Sequence, residues 1–203
     1  MNIEIWFDFA SNYSYLSAMR IEELARARQV DVVWRPFLLG PVFKSIGMDN
    51  SPFVTQKLKG AYVWTDMERQ CRKYRLGWTR PSSFPRRSIL PARIATFADG
   101  KPWQAQFIRS VMRLNFVEDR DIEDHAALSE ILASLGQDGP AVISAAETDD
   151  IKQRLRARTE EAQQRGVFGG PTFFVGEEMF WGNDRLDDAL ELAASQLSRD
   201  CVR

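Results

Sequence analysis

Residues able to do chemistry concentrate in two short segments near the two ends of the chain. The first is Ala10-Ser11-Asn12-Tyr13-Ser14-Tyr15-Leu16, directly after the apolar run Ile3-Glu4-Ile5-Trp6-Phe7-Asp8-Phe9. The run reads as a strand and the residues after it as a helix. Ser11 therefore falls at a strand-to-helix junction, at or near the helix N-cap. A hydroxyl there lies beside backbone N–H groups without helical partners and near the positive end of the helix dipole. Such a place can hold an anion, a thiolate included. A plain capping serine occupies the same position, and both readings stand. The second segment is Gly166-Val167-Phe168-Gly169-Gly170-Pro171-Thr172-Phe173-Phe174-Val175. A proline directly ahead of a strand removes a ladder donor. Either a cis bond or an ordinary trans proline opening the strand accommodates it. In the cis form, Gly170–Pro171 would present the backbone groups of Gly170 to an extended peptide ligand.

Other chemistries find few residues. Cys71 and Cys201 are the two cysteines and form no C-x-x-C pair, so a dithiol oxidoreductase is not expected. No Cys/His cluster suits a metal. His125 is the single histidine and falls in a helical stretch, so no Ser-His-Asp triad is expected. Among 203 residues, 44% are hydrophobic and 27% charged, as in a globular chain with a sizeable core. The net charge of −1 provides no general attraction for nucleic acid or an anionic membrane. No run of about 18 apolar residues would span a bilayer. Glu4 and Asp8 interrupt the N-terminal apolar run, which is unlike a signal peptide. The expected location is the cytoplasm.

The elements that must position these residues follow from periodicity and breakers. The first strand is followed by a helix over about Asn12 to Arg28, then a second strand, Val30 to Phe37, which stops near Pro36. Strand, helix, strand predicts a right-handed βαβ unit with parallel strands. After Leu39-Gly40-Pro41 the pattern turns helical: one long helix from Phe53 to Tyr74, then segments 89–98, 102–114, 122–135 and 140–146. Asp149-Asp150 would cap a helix ending at Arg165, with Gly166 as its stop. Thr172 to Val175 and Met179 to Trp181 form a hairpin around Gly176-Glu177-Glu178, and a last helix spans about Asp184 to Leu197. The expected fold is α/β: residues 1–39 and 150–203 form one layered domain, and residues 40–149 form an all-helical insertion.

Three motifs carry a family resemblance. Phe7-Asp8-Phe9-Ala10-Ser11-Asn12-Tyr13-Ser14-Tyr15-Leu16 resembles a D-x-x-S-P-Y-S-Y-L signature. Gly166-Val167-Phe168-Gly169-Gly170-Pro171-Thr172-Phe173 resembles G-V-F-G-V-P-T-F. Phe180-Trp181-Gly182-Asn183-Asp184-Arg185-Leu186 resembles F-W-G-x-D-R-L. Together they are similar to the 2-hydroxychromene-2-carboxylate isomerases and the related kappa-class glutathione transferases, within the DsbA superfamily. The resemblance implies a thioredoxin-like fold (β-α-β, helical insertion, α-β-β-α) and glutathione as cofactor. It implies that Ser11 holds the glutathione sulfur and that Gly170, with Pro171, offers backbone hydrogen bonds to the cysteinyl unit. Trp181, Gly182, Asn183 and Asp184 would line the γ-glutamyl end. Asp184 suits the ammonium, although a plain N-cap would look the same. Lys44 lies where the family often places a cation for the substrate carboxylate, and an ordinary solvated lysine is the competing reading.

The implied reaction is reversible thiolate addition to an unsaturated 2-hydroxychromene-type carboxylate. Opening of the chromene ring, bond rotation and loss of the thiolate would give trans-o-hydroxybenzylidenepyruvate, a step of aromatic catabolism. The implied partners are glutathione, a small aromatic carboxylate and a second copy of the chain in a homodimer. Two alternatives stay open: a kappa-like transferase that conjugates an electrophile, and a non-catalytic thioredoxin-like binding module. Three departures from the family pattern bear on the site. Asn12 stands in place of proline, Gly170 in place of valine, and Arg87 where asparagine is common. Arg87 would face the electrophile.

Overall fold

The computed structural model describes residues 2–200, with side chains from 2 to 196. Cys201 lies outside the described residues. Strand β1 is Asn2–Phe7 and strand β2 is Asp31–Pro36, and they pair in parallel from Asn2↔Asp31 to Phe7↔Pro36. Strands β3 (Thr172–Val175) and β4 (Glu178–Trp181) form the hairpin. β3 runs antiparallel to β1 with Ile5 opposite Phe173, which gives the sheet order β2-β1-β3-β4. Between β1 and β2 lie α1 (Asn12–Ala18) and α2 (Ile21–Arg26). Seven helices follow β2: α3 (Leu39–Ser45), α4 (Pro52–Thr55), α5 (Lys57–Tyr74), α6 (Ile89–Phe97), α7 (Gln104–Phe116), α8 (His125–Ser134) and α9 (Gly139–Ala146). Helix α10 (Asp149–Gln164) leads into β3, and a short 3₁₀ turn, Asn183–Arg185, opens α11 (Leu186–Asp200). This is an α/β thioredoxin-like fold with a helical insertion.

The sheet buries both faces. Ile3, Ile5, Phe7, Phe173 and Val175 share one core with α1, α2 and α11, and that core continues into the insertion through Ile94, Phe107 and Phe116. On the other face, Trp6 and Phe174 pack with Phe37, Val42, Ala162 and Val167. Period-two alternation along β1 sends its odd and even residues to these two cores. The polar even residue, Glu4, is held by Arg35, Arg165 and Trp6 Nε1.

The helices depart from the sequence expectation at three places. The first expected helix is two, because Arg20 breaks it: its backbone N–H bonds Ser17 and its Nε takes the Leu16 carbonyl. The long helix expected from Phe53 is also two. Gln56 leaves the helical region at φ −103°, ψ 88°, and α5 then packs so closely under α4 that a Cβ on Gly60 would lie 2.1 Å from the Phe53 carbonyl. Helical structure, expected only after Leu39-Gly40-Pro41, already begins with these residues, which open α3. A proline in a first turn loses no hydrogen bond, since those N–H groups have no helical acceptor.

Candidate active site

Ser11 is the N-cap of α1, with φ −85° and ψ 116°. Its Oγ accepts the Ser14 N–H at 3.1 Å and donates to the Gly170 carbonyl at 2.9 Å. One hydroxyl thus joins the two motif segments across the fold. The Gly170–Pro171 peptide is cis, as is Phe84–Pro85. The glycines around Pro171 allow close approach. A Cβ on Gly169 would lie 2.5 Å from Trp181 Nε1, and one on Gly170 would lie 3.2 Å from Ser14 Oγ. Trp181 is exposed and tilts against Phe168, with ring centroids 4.8 Å apart.

The third motif is tied to the same place. Gly182, at φ +109°, donates its N–H to the Pro171 carbonyl at 3.0 Å. Asn183 is buried, and its Oδ1 accepts from Ser17 Oγ of α1 at 3.1 Å and from Arg20 at 2.9 Å. The Arg20 guanidinium also lies 3.6 Å from the centre of the Tyr74 ring. Asp184 is exposed and pairs with Arg185 at 3.3 Å. Tyr13, two residues after Ser11, donates its hydroxyl to Asp66 at 2.7 Å. Burial, the Asp66 hydrogen bond and the charges of Asp66 and Asp184 push that phenol well above its ordinary pKa, so Tyr13 stays protonated.

Asp8 was not singled out from the sequence as a site residue, yet it ties the Ser11 loop to two other segments. Its carboxylate is buried and accepts three hydrogen bonds: from Ala10 N–H at 2.8 Å, Leu39 N–H at 2.8 Å and Ser88 Oγ at 2.7 Å. These donors belong to the Ser11 loop, the start of α3 and the start of α6. Burial raises the Asp8 carboxyl above its usual value, and the three donors oppose that rise. Asn115 of α7 adds a second tie, donating Nδ2 to the Phe9 carbonyl at 2.9 Å while Arg86 grips its Oδ1 at 2.8 Å. The available signal for Asp8 was a charged residue between Phe7 and Phe9 in an apolar strand, which demands buried partners.

Lys44 sits on α3, exposed, with no ion pair among the described residues. Arg87 is 74% exposed and pairs with Glu123 at 3.0 Å, the same carboxylate that takes the Ile89 and Leu90 amides at the start of α6. Ser11, Gly170, Pro171, Gly182 and Asn183 are therefore linked through hydrogen bonds, with Trp181 packed beside them. Lys44, on α3, and Arg87, in the loop ahead of α6, lie outside that linkage. His125 is an exposed residue in the first turn of α8. Burial pushes the Cys71 thiol up to about 12, far from a reactive thiolate. No group of three or more metal-ligating side chains occurs among the described residues, and no helix there is long and apolar enough to cross a membrane.

Known proteins share this fold. A family model for a DSBA-like thioredoxin domain matches residues 2–193. The chain is 31% identical over 188 residues to a 2-hydroxychromene-2-carboxylate isomerase of Sphingobium xenophagum, covering 91% of this chain and 94% of the relative. It is 30% identical over 202 residues to the Pseudomonas putida enzyme of the same name, covering 98% and 97%. The solved structure of a 2-hydroxychromene-2-carboxylate isomerase superposes with a TM-score of 0.89 at 27% identity, over 100% of this chain and 98% of the other. The cytosolic disulfide reductase DsbM from Pseudomonas aeruginosa, solved with GSH, shares the fold with a TM-score of 0.69 at 16% identity, over 98% and 100%. Fold and relatives converge: the chain belongs to the DSBA-like thioredoxin family and, within it, to the family of 2-hydroxychromene-2-carboxylate isomerases.

Proposed function

We propose that this protein is a glutathione-dependent cis-trans isomerase of the 2-hydroxychromene-2-carboxylate type, acting on a small aromatic carboxylate in the cytoplasm as a homodimer. The observation that carries the reading is the 2.9 Å bond between the Ser11 hydroxyl and the Gly170 carbonyl. It puts a hydroxyl donor beside a backbone edge suited to a cysteinyl peptide. The residues present fit that tripeptide in three respects. Ser14 Oγ and Asn12 Nδ2 are buried polar atoms without partners next to Ser11. Gly170 lacks the Cβ that would crowd Ser14. Asp184 is an exposed carboxylate on the Gly182–Asn183 turn, suited to an ammonium.

When bound, glutathione would supply the sulfur nucleophile that adds to the substrate's double bond and leaves unchanged after rotation. Ser11 would donate its hydroxyl hydrogen to keep that sulfur ionised; a free thiol ionises near about pH 8.5. Gly170 and Pro171 would align the peptide backbone, and Trp181 would cover it. Lys44 and Arg87 would meet the substrate carboxylate from the insertion side. The test combines binding and stoichiometry. Reduced glutathione at about a hundred times its dissociation constant should stabilise the fold by about 2.7 kcal/mol. Turnover should regenerate glutathione without loss. Consumption of one glutathione per product would establish a transferase instead, and no thermal shift at millimolar ligand would remove the cofactor.

A further inference from the structure

Ser11 has one proton to give, and it is already committed. A hydroxyl donates once, and Ser11 donates to the Gly170 carbonyl at 2.9 Å while accepting the Ser14 amide at 3.1 Å. It can point its hydrogen at a sulfur anion only by releasing that carbonyl. Ser11 is 6% exposed, so water has little access to replace the lost donor. A carbonyl accepts at two lone pairs: glutathione's peptide can take one, and the position that Ser11 vacates would be left unpaired in a partly buried group, which opposes the very rotation that the reaction needs.

Two buried polar atoms among the described residues lack partners, Ser14 Oγ and Asn12 Nδ2, on residues 0% and 1% exposed. Such groups are rare in native folds and call for an explanation. Ser14 is the one placed against Gly170, since a Cβ built there would come 3.2 Å from its Oγ. It also lies three residues after Ser11, on the same side of α1. We propose that Ser14 is a positioning residue that takes over the Gly170 carbonyl when Ser11 turns its hydrogen toward a thiolate. The exchange breaks one hydrogen bond and makes one, so the Ser11–sulfur bond is a net gain. Nothing is transferred, and no charge moves within the protein. The glycine at position 170, where the family has valine, leaves room for the Ser14 side chain to rotate.

This inference rests on the glutathione reading, and the experiment separates the two. Wild type and Ser14→Ala are compared by calorimetric titration with reduced glutathione, by the ultraviolet thiolate absorbance of the bound ligand against pH, and by melting temperature. Asp8, which accepts the Ala10 amide, and Tyr13, which bonds Asp66, flank Ser11 in both proteins, so the difference reports position 14. Ser14→Ala should still bind glutathione and melt no lower than wild type, because the deleted hydroxyl has no native partner. Its bound thiol should titrate about one pH unit higher, which is roughly tenfold less thiolate at a given pH. An unchanged bound-thiol titration, with binding intact in both proteins, overturns the role of Ser14 and leaves the glutathione site standing. Lost thiolate accompanied by a clear fall in melting temperature also overturns it, marking Ser14 as a packing residue. Absence of glutathione binding by the wild type overturns both.

Discussion

Single side chains in this site have two duties, and the energetics separate them. Ser11 caps α1 and bonds Gly170. Loss of a cap costs about 1 kcal/mol, which in a chain of this size lowers the melting temperature by roughly 2–4 °C. Loss of a preorganised donor to a developing anion costs far more in rate, about a hundredfold. Ser11→Ala should therefore melt within a few degrees of wild type while its glutathione-supported turnover falls about a hundredfold. Steady-state kinetics beside a thermal melt checks this, and full turnover in the variant would take Ser11 out of the reaction. Ser11 was legible in the sequence because a capping position has a local signature. Asp8 was much less so, because its three donors come from loops far apart in the chain, and proximity of that kind is created by the fold. Arg87 is a different case: the sequence singles it out as a departure from the family pattern, but its ion pair with Glu123, whose carboxylate also takes the amides at the start of α6, depends on the fold.

Among the elements, breaks matter more than the regular stretches. The strands, the hairpin and most helices follow from periodicity, because burying one face of a helix or strand imposes a local pattern. The break at Arg20 had no comparable signal. It exists because the guanidinium turns inward to Tyr74 and Asn183 rather than continuing along a helix surface. The consequence is that the C-terminal end of α1 is tied to the Gly182–Asn183 turn, through Ser17 and Arg20 bonded to Asn183. A hydrogen bond from a charged donor contributes about 1.5–3 kcal/mol, enough to keep that turn preorganised. Arg20→Met should raise the KM for glutathione about fivefold to tenfold and leave kcat within about twofold, since the reacting sulfur is held elsewhere. Arg20→Lys should recover little, lacking the planar group that both stacks and reaches Asn183. A fall in kcat at unchanged KM would contradict this division of labour.

At the scale of the whole molecule, two carboxylates, Glu4 on β1 and Asp8 just past its end, have protonation that pulls stability in opposite directions. Glu4, beneath the sheet, is pushed up by burial, but its hydrogen bonds from Trp6, Arg35 and Arg165 outweigh burial and hold it below its ordinary value of 4.5. A carboxyl lowered in the fold stabilises above its unfolded pKa, and that stability disappears as pH falls through the folded value. Asp8 has the opposite sign. Burial raises it above 3.8, so the fold holds its proton more tightly than the unfolded chain does, and this works against acid unfolding. The acid limb of the stability curve should therefore be governed by the Glu4 cluster, which bridges β1, β2 and the end of α10. Glu4→Gln leaves Arg35 and Arg165 without their counter-charge and should lower stability near neutral pH. The gap between wild type and Glu4→Gln, followed by urea unfolding at a series of pH values, should narrow as pH falls below about 4.5. A gap that stays constant through that window would mean that Glu4 acts through packing rather than charge. The acid sensitivity of the molecule would then have to arise at other carboxylates, with Asp119 the next to test, since its hydrogen bonds from Arg86 and Ser82 also hold it below its ordinary value.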